Sequence, residues 1–149
     1  MNAARAIYRY LVLVVFVGVV VQVGLAGYGA FYAAKKVDDD DVISKHTFEH
    51  GFDPHSAFGY ILGIIALILF IVALVARFDA RFRNLNIALF VLFLLQILVF
   101  APLGGAVPGL GSLHPINALF IFGLSAYFAH AVWRGGRAGD AERPATTTA

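Results

Sequence analysis

"HSAFGYILGIIALILFIVALVAR", residues 55–77, holds no charged side chain between His55 and Arg77. A hydrocarbon core about 30 Å thick takes roughly 20 residues of α-helix, and a segment in lipid must satisfy its own backbone hydrogen bonds. The stretch also lacks the polar face of a surface helix. It is read as a membrane-spanning helix.

Working outward, runs of the same kind give four spans, at approximately Ile7–Ala34, His55–Ala76, Leu85–Leu103 and Pro115–Trp133. The 149 residues are 60% hydrophobic and 13% charged, with a mean hydropathy of +0.82, which excludes an ordinary soluble domain. The expected fold is an all-α integral membrane protein, an antiparallel four-helix bundle over residues 1–134 made of two similar hairpins. The small, polar stretch at 135–149 is expected to be a disordered tail. The first run, about 28 residues, exceeds the roughly 7–15 apolar residues of a signal peptide and is read as a retained helix. With no cysteine, disulfides, thiolate ligands and thioether haem links are excluded.

The arginines set the expected orientation. They lie at the N-terminus (Arg5, Arg9), between the second and third spans (Arg77, Arg81, Arg83) and in the tail (Arg134, Arg137, Arg143), which four spans put on one side. By the positive-inside rule that side, with both termini, is cytoplasmic. The opposite loops carry Lys35, Lys36 and Lys45 against Asp38–Asp41, Glu49 and Asp53. The net charge of +2 is thus a topology signal and not a nucleic-acid footprint.

The hairpins echo each other. Gln22 sits inside the first span and His55 opens the second; Gln96 sits inside the third and His114 opens the fourth. Pro54 and Pro115 are read as first-turn prolines, which puts both histidines at the outer ends of their helices and at one depth. Gly59 and Gly63 share the His55 side of their helix at i, i+4 spacing; His114 shares a side with Ala118, Ile121 and Ser125. Such glycines also serve plain helix packing.

Neutral imidazole is the usual axial ligand of haem iron, and a four-helix bundle can hold a porphyrin between diagonal helices. His55 and His114 are therefore the candidate ligands of one haem b. Gly59, Gly63 and Ala118 would leave room for the ring, Phe58, Tyr60 and Phe120–Phe122 would flank it, and Gln22 or Gln96 would bond to a propionate or an imidazole. His130, about 24 Å along the helix from His114, belongs at the other end with Trp133. In the outer loop, His46, Glu49 and His50 spell H-x-x-E-H, the inverted zincin pattern. A loop of about twenty residues is expected to lack the helix that pattern needs, leaving a loose zinc or copper site as the weaker alternative.

The run from His55 to Arg77, Gln96 in the third span and "LHPINALFIFGLSAYFAHAVW" at residues 113–133 resemble one four-helix half of the haem A synthases and, more loosely, other cytochrome b-type bundles. The resemblance covers helices 2 to 4 and implies haem ligation at His55 and His114. Where that family has a glutamate before the first histidine and an arginine after it, this chain has Phe52 and Ser56, so the resemblance extends to the haem site more than to methyl-oxidising chemistry. Small four-helix membrane proteins of bacteria are also similar. The expected function is a one-haem cytochrome of the bacterial plasma membrane, an electron carrier or respiratory-complex accessory rather than an enzyme, with lipid and a respiratory complex or a second copy as partners. The alternatives are a cofactor-free assembly subunit and an outward-facing metal or small-molecule carrier.

Overall fold

The computed structural model describes residues 3–39 and 42–141, with side chains described through Arg134. Helix α1 spans Ala3–Asp38 and α2 spans Lys45–Val75. Helix α3, Ala80–Leu95, passes through a π-helical turn at Gln96–Phe100 into the short α4, Ala101–Ala106. A 3-10 turn, Pro108–Ser112, leads into α5, Leu113–Ala141. Taking α3 through α4 as one span, the chain has four helices long and apolar enough to cross a membrane, the build of a multi-pass membrane protein. Among the described residues there is no strand.

The helices form a ring in which α1 touches α2 and α5, and α3 touches the same two. This leaves α2 and α5 on a diagonal. On α2, Leu62, Ala66, Leu69 and Ala73 recur every three or four residues and are buried, while Ile61, Ile64, Ile68 and Ile71 face outward. Both surfaces of the helix are apolar, so packing selects the inner one by shape and the outer one suits hydrocarbon. Gly18, Gly29 and Gly51 let α1 and α2 approach closely: a Cβ at Gly18 would lie 2.6 Å from Leu62, and one at Gly51 only 3.3 Å from the Gly29 carbonyl oxygen.

Two helix boundaries differ from expectation. Helix α2 starts at Lys45, where the Ser44 hydroxyl accepts from the Thr47 N–H at 3.1 Å, so Pro54 is interior and His55 lies ten residues into the helix. The cap outweighed the proline as a start signal. Helix α5 runs on through residues 135–141, the beginning of the expected tail; residues 142–149, and Asp40 and Asp41 of the acidic run, lie outside the described residues.

The arginine end is sealed. Tyr8 is fully buried and donates to Asn86 Oδ1 at 2.7 Å, among the rings of Phe78, Phe82 and Phe128. Asn86 in turn donates to the Phe82 carbonyl at 2.9 Å. Arg5 donates from Nε to the Ala76 carbonyl at 3.3 Å and from Nη2 to the Arg77 carbonyl at 3.4 Å, a cation closing the C-terminus of α2.

Arg77 itself ends α2 with φ of 51°, a left-handed conformation that costs a non-glycine residue about 1–2 kcal/mol. Arg77→Gly is expected to raise stability by up to about 1 kcal/mol, read as a higher unfolding midpoint in detergent. An unchanged or lower midpoint would show that the arginine side chain outweighs the backbone cost.

Candidate functional site

At the middle of the ring, α1 and α2 exchange two hydrogen bonds. Gln22 Nε2 donates to the His55 main-chain carbonyl at 2.7 Å, and His55 Nδ1 donates to the Gln22 main-chain carbonyl at 3.1 Å. A carbonyl only accepts, so Nδ1 carries a proton, and in the neutral form of the ring the lone pair lies on Nε2. This is the outer-shell arrangement that orients metal-binding histidines. Pro54 sits just before His55, and a proline removes one i to i−4 hydrogen bond from a helix interior.

His114 enters from the second residue of α5, and the two rings meet across the diagonal with centres 6.0 Å apart and planes at 60°. His114 Nδ1 is buried without a hydrogen bond of good geometry, although the Gln96 main-chain carbonyl lies against the same ring. Gln22 Oε1 is likewise buried and unpartnered.

Gln96 opens the π-helical turn, where Ala101 N–H reaches back five residues to the Gln96 carbonyl. Pro102, which has no N–H to give, follows immediately. A π turn is rare and accumulates at functional sites. Here it coincides with a bond from Asn117 Nδ2 to Gln96 Oε1 at 2.7 Å, the same nitrogen also reaching the Leu92 carbonyl at 2.9 Å. Asn117 was not singled out in the sequence. Its signal was its place one turn beyond His114 on an otherwise apolar helix.

The histidine pair lies between two clefts that share His55, His114, Gln22 and Gln96 in their walls. The smaller, about 120 Å³, also includes Ser56, Gly59 and Tyr60. The larger, about 620 Å³, opens between α1 and α5 and is lined by Val19, Val23, Ala26, Ala118, Leu119 and Phe122. Its size is within the roughly 300–1,000 Å³ of small-molecule and cofactor sites. The expected glycine groove is partly occupied: the Cβ position of Gly59 falls 2.8 Å from Gln22 Nε2, and that of Gly63 falls 2.6 Å from Ile97 Cδ1. Ala118, by contrast, borders open space in the larger cleft. Phe120 points away and is 63% exposed.

The separation of the two rings is compatible with a bis-imidazole metal centre. Metal–imidazole bonds of about 2 Å, plus roughly 1 Å from each ring nitrogen to its ring centre, place two coordinating rings about 6 Å apart. The observed spacing is 6.0 Å. His55 is orientated by Gln22, and both clefts have the two imidazoles in their walls.

The H-x-x-E-H residues are helical after all, on the first turns of α2, but do not form a cluster. Glu49 pairs with Lys45 at 3.5 Å, His50 with Asp53 at 3.7 Å, and His46 stacks on His50 with parallel rings 6.4 Å apart. Among the described residues no group of three or more histidine or acidic side chains can hold a metal ion. His130 is exposed near the opposite end, away from the pair.

The model of a family of unknown function, DUF6220, matches residues 22–102. That span begins at Gln22 and includes His55 and Gln96. No curated protein and no solved structure matches the chain.

The Gln96–Asn117 bond gives a quantitative expectation. Asn117→Ala and Gln96→Ala should each destabilise the bundle by about 1 kcal/mol, and the double variant by less than the sum, because the second change removes a partner already lost. Strict additivity in detergent unfolding would show that the two amides are not coupled.

Proposed function

The chain belongs to the family of unknown function DUF6220, and we propose from its own residues that it is a membrane cytochrome b-like protein holding one haem b between His55 and His114. The observation that carries this reading is the 6.0 Å between the two imidazole centres on diagonal helices. It is supported by the Gln22 carbonyl, which fixes the His55 tautomer with Nε2 free.

Bound haem supplies a one-electron couple. His55 and His114 would both hold the iron and leave no open position for a substrate, so the role would be electron transfer or service to a respiratory complex rather than catalysis. The residues of this chain orient the imidazoles, through Gln22, and keep the surroundings apolar through Val19, Ala118 and Phe122. The orphaned His114 Nδ1 and Gln22 Oε1 are polar groups that a bound molecule or water can satisfy. Arg5, Arg9, Arg77, Arg81, Arg83 and Arg134 lie at one end of the ring, which supports an orientation with that end cytoplasmic in a bacterial plasma membrane. The partner on the histidine side would be a respiratory protein or a second copy.

The test is a reduced-minus-oxidised visible spectrum of detergent-purified protein made with ample haem, alongside a haem assay. A low-spin α-band at about one haem per chain is expected, with haem lost from His55→Ala and His114→Ala and kept by His46→Ala and His130→Ala. Folded, colourless protein that haemin does not reconstitute would sink the reading and leave a cofactor-free subunit whose histidines only tie helices together. Equal haem retention in all four variants would exclude this ligand pair.

A further inference from the structure

At the end of the bundle away from His55 and His114, the guanidinium carbon of Arg9 on α1 lies 3.6 Å from the centre of the Trp133 ring on α5. Arg9 Nε and Trp133 Nε1 are both buried, and neither has a hydrogen-bond partner. Both atoms are donors only, so the pair cannot satisfy itself, and an acceptor is missing. A stacked cation and indole attract each other, but that attraction does not use either N–H.

Among the described side chains nothing supplies the acceptor. Lys35–Asp39 and Lys45–Glu49 are ion pairs at the other end, where His50 also lies beside Asp53. Among the described side chains the one carboxylate at this end is Asp79, which accepts from the Phe82 N–H at 3.0 Å as the N-cap of α3. Arg134 adjoins Trp133 and is exposed. The terminal nitrogens of Arg9 are not among the buried, unpartnered atoms, so an anion can approach the fork from outside.

We propose that Arg9 and Trp133 form a binding site for a phosphate ester, and that its occupant is the headgroup of an anionic phospholipid. Phosphate offers several strong acceptor oxygens and a charge that matches a guanidinium fork. Tryptophan and arginine belong at the water–lipid boundary, where headgroups lie, and a basic end faces the anionic leaflet. The proposal is independent of the haem reading, because Arg9 is thirteen residues, about 20 Å of helix, from Gln22.

Trp133 is the chain's single tryptophan, so intrinsic fluorescence reports on this site alone. In nanodiscs of neutral phosphatidylcholine, titrated phosphatidylglycerol should shift Trp133 emission saturably. Arg9→Gln should weaken the apparent affinity about tenfold, the scale of one lost charged hydrogen bond, while Arg83→Gln, with the same loss of charge, should not. Brominated phosphatidylglycerol should quench unmodified protein about twofold more than brominated phosphatidylcholine at the same mole fraction. This second arm stands even if Arg9→Gln fails to fold. Equal quenching by the two lipids, or an undiminished response in folded Arg9→Gln, would overturn the site. A full emission shift with inorganic phosphate alone would support the phosphate site and overturn the lipid as its occupant.

Discussion

The pair of hydrogen bonds exchanged by Gln22 and His55 is the constraint around which the middle of this bundle is arranged. Each residue gives a side-chain N–H to the other's main-chain carbonyl, at 2.7 Å and 3.1 Å. For both bonds to persist, the two helices must keep one register and one rotation. That register aims the His55 ring at the diagonal helix. It also places the Gln22 amide beside Gly59, where a side chain larger than hydrogen would displace it.

The same pairing explains why α1 and α2 pack so closely. Gly18, Gly29 and Gly51 each face a large side chain of the opposite helix, Leu62, Phe52 and Tyr32 respectively. Without a hydrophobic drive between helices in lipid, contact of this kind and interhelical hydrogen bonds carry the association. The third span is tied to α5 differently. Its π turn and Pro102 break the regular ladder beside Gln96, and Asn117 donates to both the Gln96 side chain and the Leu92 carbonyl.

Much of this architecture was legible in the sequence because lipid imposes so strict a length and composition on a helix. The four apolar runs followed from hydropathy, and the placing of His55 and His114 on facing helices from the matching positions in the two hairpins. What was not legible depended on local competition. Ser44 captured the start of α2 ten residues before the expected boundary, because a side-chain cap at the true terminus outweighs a tolerated interior proline. The H-x-x-E-H residues were assigned to a loop for the same reason. Gly59 and Gly63 looked like empty space, yet Gln22 and Ile97 reach into it, a result of side-chain placement that no spacing rule contains. Asn117 escaped notice because one amide in an apolar helix carries no periodic signal.

The two ends of the ring are unlike. One carries polar side chains into open clefts, and the other is stoppered by Tyr8, Asn86, Phe78, Phe82 and Phe128. Among the described side chains the bundle is therefore a cup and not a tube. The larger cleft lies between α1 and α5, so the space beside the imidazoles opens toward the side of the bundle and not toward its base.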